Sequence, residues 1–105
     1  MKKIIIDTSD NKLITVELNI DQETKEKITS DSLILRSEAA IPIIDKLLIK
    51  NNLRLTDLTN IDVNVGPGSF TGLRVGISIA NALGFLLNIP VNGKKIGDLA
   101  SPVYN

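Results

Sequence analysis

Two short stretches hold the residue types from which chemistry is built. Asp7-Thr8-Ser9 follows the apolar run Ile4-Ile5-Ile6, placing a carboxylate and two hydroxyls where a strand would end. A carboxylate at that end of an open α/β sheet can hold a magnesium ion through water, or accept hydrogen bonds from its own turn. The second stretch, Gly66-Pro67-Gly68-Ser69-Phe70-Thr71-Gly72, leads into a helical pattern. Such a turn brings unpaired backbone N–H groups and the hydroxyls of Ser69 and Thr71 to the positive end of a helix, where an anion can sit. Its spacing argues against a nucleotide loop. No Gly-Lys-Ser or Gly-Lys-Thr closes it, and the third glycine of a dinucleotide fingerprint would fall at Thr71 rather than Gly72. The region after the helix reads Val91-Asn92-Gly93, with no acid to hold a ribose. Gly66, Pro67, Gly68, Ser69, Phe70 and Thr71 are therefore read as a structural turn, with Asp7, Thr8 and Ser9 as the candidate nucleotide or metal residues.

Composition narrows the chemistry further. The chain has no His and no Cys, so imidazole proton transfer, thiolate chemistry and the commonest metal ligands are missing. Glu38, Asp45 and Asp62 are the other carboxylates considered, and no spacing pairs one of them with Asp7. Lys95 and the hydroxyls have no orienting base, so no nucleophile can be assembled and no metal site is expected. Arg74, one turn into the second helix, could hold a phosphate or a partner's carboxylate, or form a surface ion pair. The 12 basic residues balance the 12 acidic ones, and Lys2-Lys3 and Lys94-Lys95 are isolated pairs, so the chain has no nucleic-acid footprint of its own. Ile4-Ile5-Ile6 is far too short for a signal peptide or membrane span, and a soluble cytoplasmic protein without membrane contact is expected. With 105 residues, 43% of them hydrophobic, one domain with one aliphatic core is expected.

The elements that must position these residues follow from periodicity. Ile4-Ile5-Ile6 reads as a central strand covered on both faces. Ser9-Asp10-Asn11 turns the chain, and Ile14, Val16, Leu18 and Ile20 alternate with polar residues in a second, half-buried strand. Residues 21–32 are polar, either an edge strand around 25–29 or a long loop, and Leu33-Ile34-Leu35 ends the hairpin region or crosses the sheet. Ala40, Ile43, Ile44, Leu47 and Leu48 mark an amphipathic helix ending near Asn51. Ser37 is its candidate cap, and Pro42 implies a kinked first turn or a regular start near Ile41. Ile61, Val63 and Val65 alternate as another strand. A second helix runs over 71–87, stopped by Asn88 and Pro90, and Val91 starts a further strand before a tail with no stable element. A mixed sheet with two helices results.

The second helix carries Gly72, Gly76, Ala80 and Gly84 at four-residue spacing, on one face. Each interior glycine costs about 1 kcal/mol relative to alanine, and close helix approach is the usual compensation. Leu73, Ile77 or Ile79, Leu83 and Leu86 or Leu87 are placed on the opposite sector, against the sheet. The stripe packs on the first helix of this chain or joins another subunit; spacing alone leaves both open.

Ile5-Ile6-Asp7-Thr8-Ser9, Ser37-Glu38 before an apolar helix with Pro42, Ile89-Pro90-Val91, and above all the run from Val65 to Gly76 resemble the bacterial TsaB (YeaZ) family. That resemblance covers essentially the whole chain. It implies an actin-like, ribonuclease-H-like α/β domain with a mixed five-stranded sheet and two main helices, spanning 1–105 without the family's second domain. It also implies a non-catalytic scaffold subunit of tRNA N6-threonylcarbamoyladenosine (t6A37) biosynthesis, supporting a related TsaD-like catalytic subunit through its helices. Gly72, Val75, Gly76, Ile79, Ala80, Leu83 and Gly84, with Ala40, Ile44 and Leu47, are then the expected interface. ATP and a metal ion belong to the catalytic partner, a TsaE-like ATPase joins the complex, tRNA is reached only through it, and a homodimer is the other possible assembly. An Mg-ATP-handling domain of an actin-like enzyme is the alternative. Arg36 stands where the family often has His.

Overall fold

A computed structural model describes residues 1–10, 12–31 and 37–103, with side chains in the first helix from Ala40 onward. The elements are β1 (Lys2–Asp7), β2 (Ile14–Ile20), β3 (Glu23–Ser30), α1 (Ser37–Lys50), a short 3-10 turn (Leu55–Asp57), β4 (Asn60–Val63) and α2 (Phe70–Leu87). They form one mixed sheet in the order β3-β2-β1-β4. β1 pairs antiparallel with β2 and parallel with β4, and β2 pairs antiparallel with β3.

Alternation decides where the core lies. Ile4, Ile6, Ile14, Val16, Leu18, Ile61 and Val63 are buried and share one face of the sheet, since Ile4 is in register with Leu18 and Ile61, and Ile6 with Val16 and Val63. On that face they meet Ala40, Ile44, Leu47 and Leu48 of α1 and Leu73, Ile77, Ala80 and Leu83 of α2. The opposite face is half-exposed and polar, with Lys3 paired to Asp62 at 3.0 Å and Thr24 donating to Glu17 at 2.7 Å. β1 is central as expected but covered on one face only. Its odd-numbered positions, Lys3, Ile5 and Asp7, are half-buried rather than enclosed.

The polar stretch after β2 is an edge strand, not a loop. A bulge sets Leu18 opposite Glu26 and Asn19 opposite Thr24, leaving Lys25 without a register partner. Glu26 turns toward α1, where Lys50 Nζ donates to it at 2.7 Å and Asn51 at 3.2 Å. α1 runs through Pro42 from Ser37, so the helix starts where the earlier of the two readings placed it. The expected role of Leu33-Ile34-Leu35, the cap on Ser37 and the place of Arg36 fall outside the described residues.

The sheet has four strands, not five. Val91 forms a single parallel bridge with Ile61, and Asn92 (φ 53°) and Gly93 (φ 69°) then turn the chain away, with Lys94 N donating to Val91 O at 3.1 Å. Left-handed angles at two successive residues make a tight turn and cannot continue a strand. Asn92 fills the next ladder position with its side chain, accepting from Val63 N at 2.7 Å and donating to Val63 O at 3.1 Å. The tail lacks regular structure but is anchored: Asn81 exchanges two hydrogen bonds with the backbone of Ala100, and Val103 N donates to Val65 O at 2.7 Å.

α2 begins at its Ser69 cap and ends at Asn88, which takes the left-handed conformation at φ 55°. Its 18 residues are long and apolar enough to cross a membrane by length and composition. Its inner face, however, is packed into the core, from Gly72 and Leu73 to Leu83 and Gly84.

Candidate functional site

The two chemically promising stretches meet, and they bond to each other. Ser69 N donates to Ser9 O at 2.8 Å, which ties the glycine-rich turn to the end of β1. Thr8 is fully buried, and its hydroxyl donates to Gly72 O at 2.5 Å while accepting from Gly76 N at 3.0 Å. It bridges a carbonyl and an N–H that lie one helical step apart. Only glycine allows this approach. A Cβ on Gly72 would strike the Thr8 carbonyl, one on Gly76 the Thr8 hydroxyl, and one on Gly68 would lie 2.7 Å from Ser9 Cβ. Gly66 combines φ 126° with the Val103 carbonyl packed where a side chain would stand. The Gly66–Pro67 peptide is cis.

These contacts use several of the groups an anion would need. Ser69 Oγ accepts from Gly72 N at 3.2 Å, and the Thr8 and Ser9 carbonyls lie over the start of the helix. Asp7 is engaged as well, with Oδ1 accepting from Ser9 N at 2.9 Å and Ser9 Oγ at 2.7 Å. Burial works against its charge, but the hydrogen bonds from the Ser9 hydroxyl and backbone, then from Asn64, outweigh it and hold the carboxyl below its ordinary value. Asp7 lines a shallow groove on the open face with Lys3, Ile5, Asp62, Asn64 and Asn92. Among the described residues, no three His, Cys, Asp or Glu gather as a metal site. Asp7, Thr8 and Ser9 thus form a structural joint, and the geometry adds nothing in favour of nucleotide handling.

The helix faces also differ from the expectation. Gly72, Gly76, Ala80 and Gly84 are buried within the chain's own fold, with Gly84 packed against Val91. Ile79 and Leu83 are buried beside them, as are Ala40, Ile44 and Leu47 on α1, and Val75 is half-buried. None of the buried residues is available to a partner of the folded domain. The close approach that offsets the glycines is to Thr8 and Val91, not to another helix. At 3.6 residues per turn, Ile79, Leu83 and Leu87 fall on the glycine side, so the supposed opposite sector is part of the same inner face.

The exposed positions of α2 are Phe70, Thr71, Arg74, Ser78, Ala82, Phe85 and Leu86. Phe70, Phe85 and Leu86 are 57%, 82% and 74% exposed, respectively. The Arg74 guanidinium lies 5.0 Å from the centroid of the Phe70 ring. On α1, Ile41, Asp45 and Ile49 point outward at four-residue steps. Sequence reasoning missed Ser78, Ala82 and Phe85, although each lies within one or two helical turns of Arg74 or Leu86 on a helical projection.

Comparison with known proteins locates this arrangement. The profile of the family described as "TsaD: tRNA N6-adenosine threonylcarbamoyltransferase" matches residues 35–93, which include both helices. The tRNA threonylcarbamoyladenosine biosynthesis protein TsaB of Bacillus subtilis is 33% identical over 100% of this chain and 50% of its own length. A tRNA N6-adenosine threonylcarbamoyltransferase of Sulfurisphaera tokodaii is 46% identical over 53% of this chain and 18% of its own. Among solved structures, YeaZ from Pseudomonas aeruginosa superposes with a TM-score of 0.76 at 26% identity, covering 87% of this chain and 43% of that one. The chain spans about half the length of the full-length TsaB and YeaZ proteins it matches. The sheet order, the two helices on one face and these matches are those of an actin-like domain, and the chain belongs to the family whose profile it matches, as a relative of the TsaB (YeaZ) proteins.

Proposed function

We propose that this chain is a scaffold unit in tRNA N6-threonylcarbamoyladenosine biosynthesis, docking and supporting a TsaD-like catalytic subunit without catalysing the transfer itself. The observation that carries the reading is the outer face of α2, where Phe70, Phe85 and Leu86 lie in solvent with small Ser78 and Ala82 between them. Large apolar side chains at both ends of a helix face, with small ones in the middle, form a saddle into which another helix can pack closely. The similarity to TsaB proteins supports the pathway assignment. The internal bonding of Asp7, Thr8 and Ser9 supports a subunit whose ATP and metal ion are held by the catalytic partner. A TsaE-like ATPase and tRNA then join through the assembled complex, in the cytoplasm.

The test is co-expression with the TsaD-type subunit of the same organism, followed by size exclusion with light scattering. A one-to-one complex is expected for the native chain, and its loss for Ala82→Arg, whose long charged side chain fills the saddle while the domain keeps its melting temperature. A monomer that never binds the TsaD-type subunit would refute the proposal.

A further inference from the structure

Arg74 is the single charged side chain of α2. It stands on the outer face, in a shallow groove with Phe70, Ser78 and Pro102, and its guanidinium lies over the Phe70 ring. No carboxylate among the described residues forms an ion pair with it. A guanidinium is a planar fork of N–H donors that matches a carboxylate in two parallel hydrogen bonds. The Phe70 ring lies under the guanidinium as a cation–π partner, and no carboxylate of the described residues takes up the fork. Covering the outer face removes water from Arg74, and a buried cation left unpaired is strongly unfavourable. A docking helix that lacks an acid at this point is therefore selected against.

Resting on the reading of this face as the docking surface, we propose that Arg74 is the specificity-determining anchor of the interface. It takes an Asp or Glu carboxylate from a helix of the catalytic subunit, which enters beside Ser78 and Ala82. The required occupant is an apolar helix with one acid, since Phe70, Phe85 and Leu86 ask for apolar contacts and Arg74 for the single charge. A second copy of this chain fits less well. Its α2 brings another arginine and no acid, so a pair of α2 helices sets cation near cation, and an acid must come from another element, such as Asp45 of the neighbouring helix.

Calorimetric titration with the full-length TsaD-type subunit at several salt concentrations tests the proposal. Arg74→Gln is expected to weaken binding at least about tenfold and to flatten its salt dependence, because truncating one partner of a covered charge pair is costly. Arg74→Lys, which keeps the charge but loses the fork, should fall between. The melting temperature of both variants should match the native chain, since Arg74 is exposed. If Arg74→Gln binds as tightly as the native chain while Ala82→Arg does not bind, the anchor is refuted and the docking face stands. If Ala82→Arg also binds normally, the docking reading fails and the anchor with it. If the chain instead self-associates, and Arg74→Gln and Asp45→Asn both weaken that association without any binding to the catalytic subunit, a second copy is the occupant and the proposal is overturned.

Discussion

Thr8 is a polar side chain shut away from water, and both of its bonding capacities are used on one helix, with Gly72 and Gly76. Thr8→Val keeps the shape and removes the hydroxyl, leaving a buried N–H and carbonyl without their bridge. The expected loss is about 1–3 kcal/mol in urea unfolding, and Thr8→Ser should recover much of it. Asp7 gives a pH signature. Its carboxyl is held below the ordinary 3.8, so the unfolded chain binds a proton more readily than the folded one. The stabilisation is fully present above that ordinary value and is lost as pH falls through the lowered one. Acid titration of stability should therefore be shallower below about pH 4 in Asp7→Asn than in the native chain. The sequence marked Asp7-Thr8-Ser9 as special, but not why. Thr8 finds its partners 64 and 68 residues away, and no local pattern encodes that contact.

On the scale of elements, α2 separates two kinds of small residue that look alike in sequence. Gly76 faces Thr8, whereas Ser78 faces solvent. Alanine is the better helix former at both, so propensity alone predicts stabilisation twice. Contact predicts otherwise: Gly76→Ala should cost about 1–3 kcal/mol by overpacking, and Ser78→Ala should be neutral or slightly favourable. Paired urea melts decide the matter. The helix and its Asn88 stop were legible because breakers are local signals, whereas the Ser69 cap, one residue ahead of the expected start, was not read. Its orientation was not. A four-residue glycine stripe records that something approaches closely, and a β1 threonine leaves the same record as a neighbouring helix.

Across the whole molecule, the layers and the strands β1, β2 and β4 could be read from hydrophobic period, while the polar β3 was left open between an edge strand and a loop. The fifth strand failed because Val91 begins like one, and only the left-handed pair Asn92-Gly93 shows that the chain turns off. The tail was read as unstructured, yet Ala100 is buried and held by Asn81, a side-chain contact that composition does not reveal. Asn81→Ala should speed amide exchange across residues 96–103 while leaving the exchange of β1 and β2 unchanged, as expected for local release rather than global unfolding.

The Asn92 amide has a consequence for how this protein can assemble. A strand at the margin of a sheet offers a row of open backbone groups on which another chain can polymerise. At β4 that row is taken up by Pro90, Asn92 N and, over Val63, the Asn92 side chain, so an incoming strand finds no template there. At β3 the bulge at Lys25 and the neighbouring Lys27 spoil the match on the other side. Growth of the sheet is thus opposed by filled ladder positions at β4 and by an irregular ladder at β3.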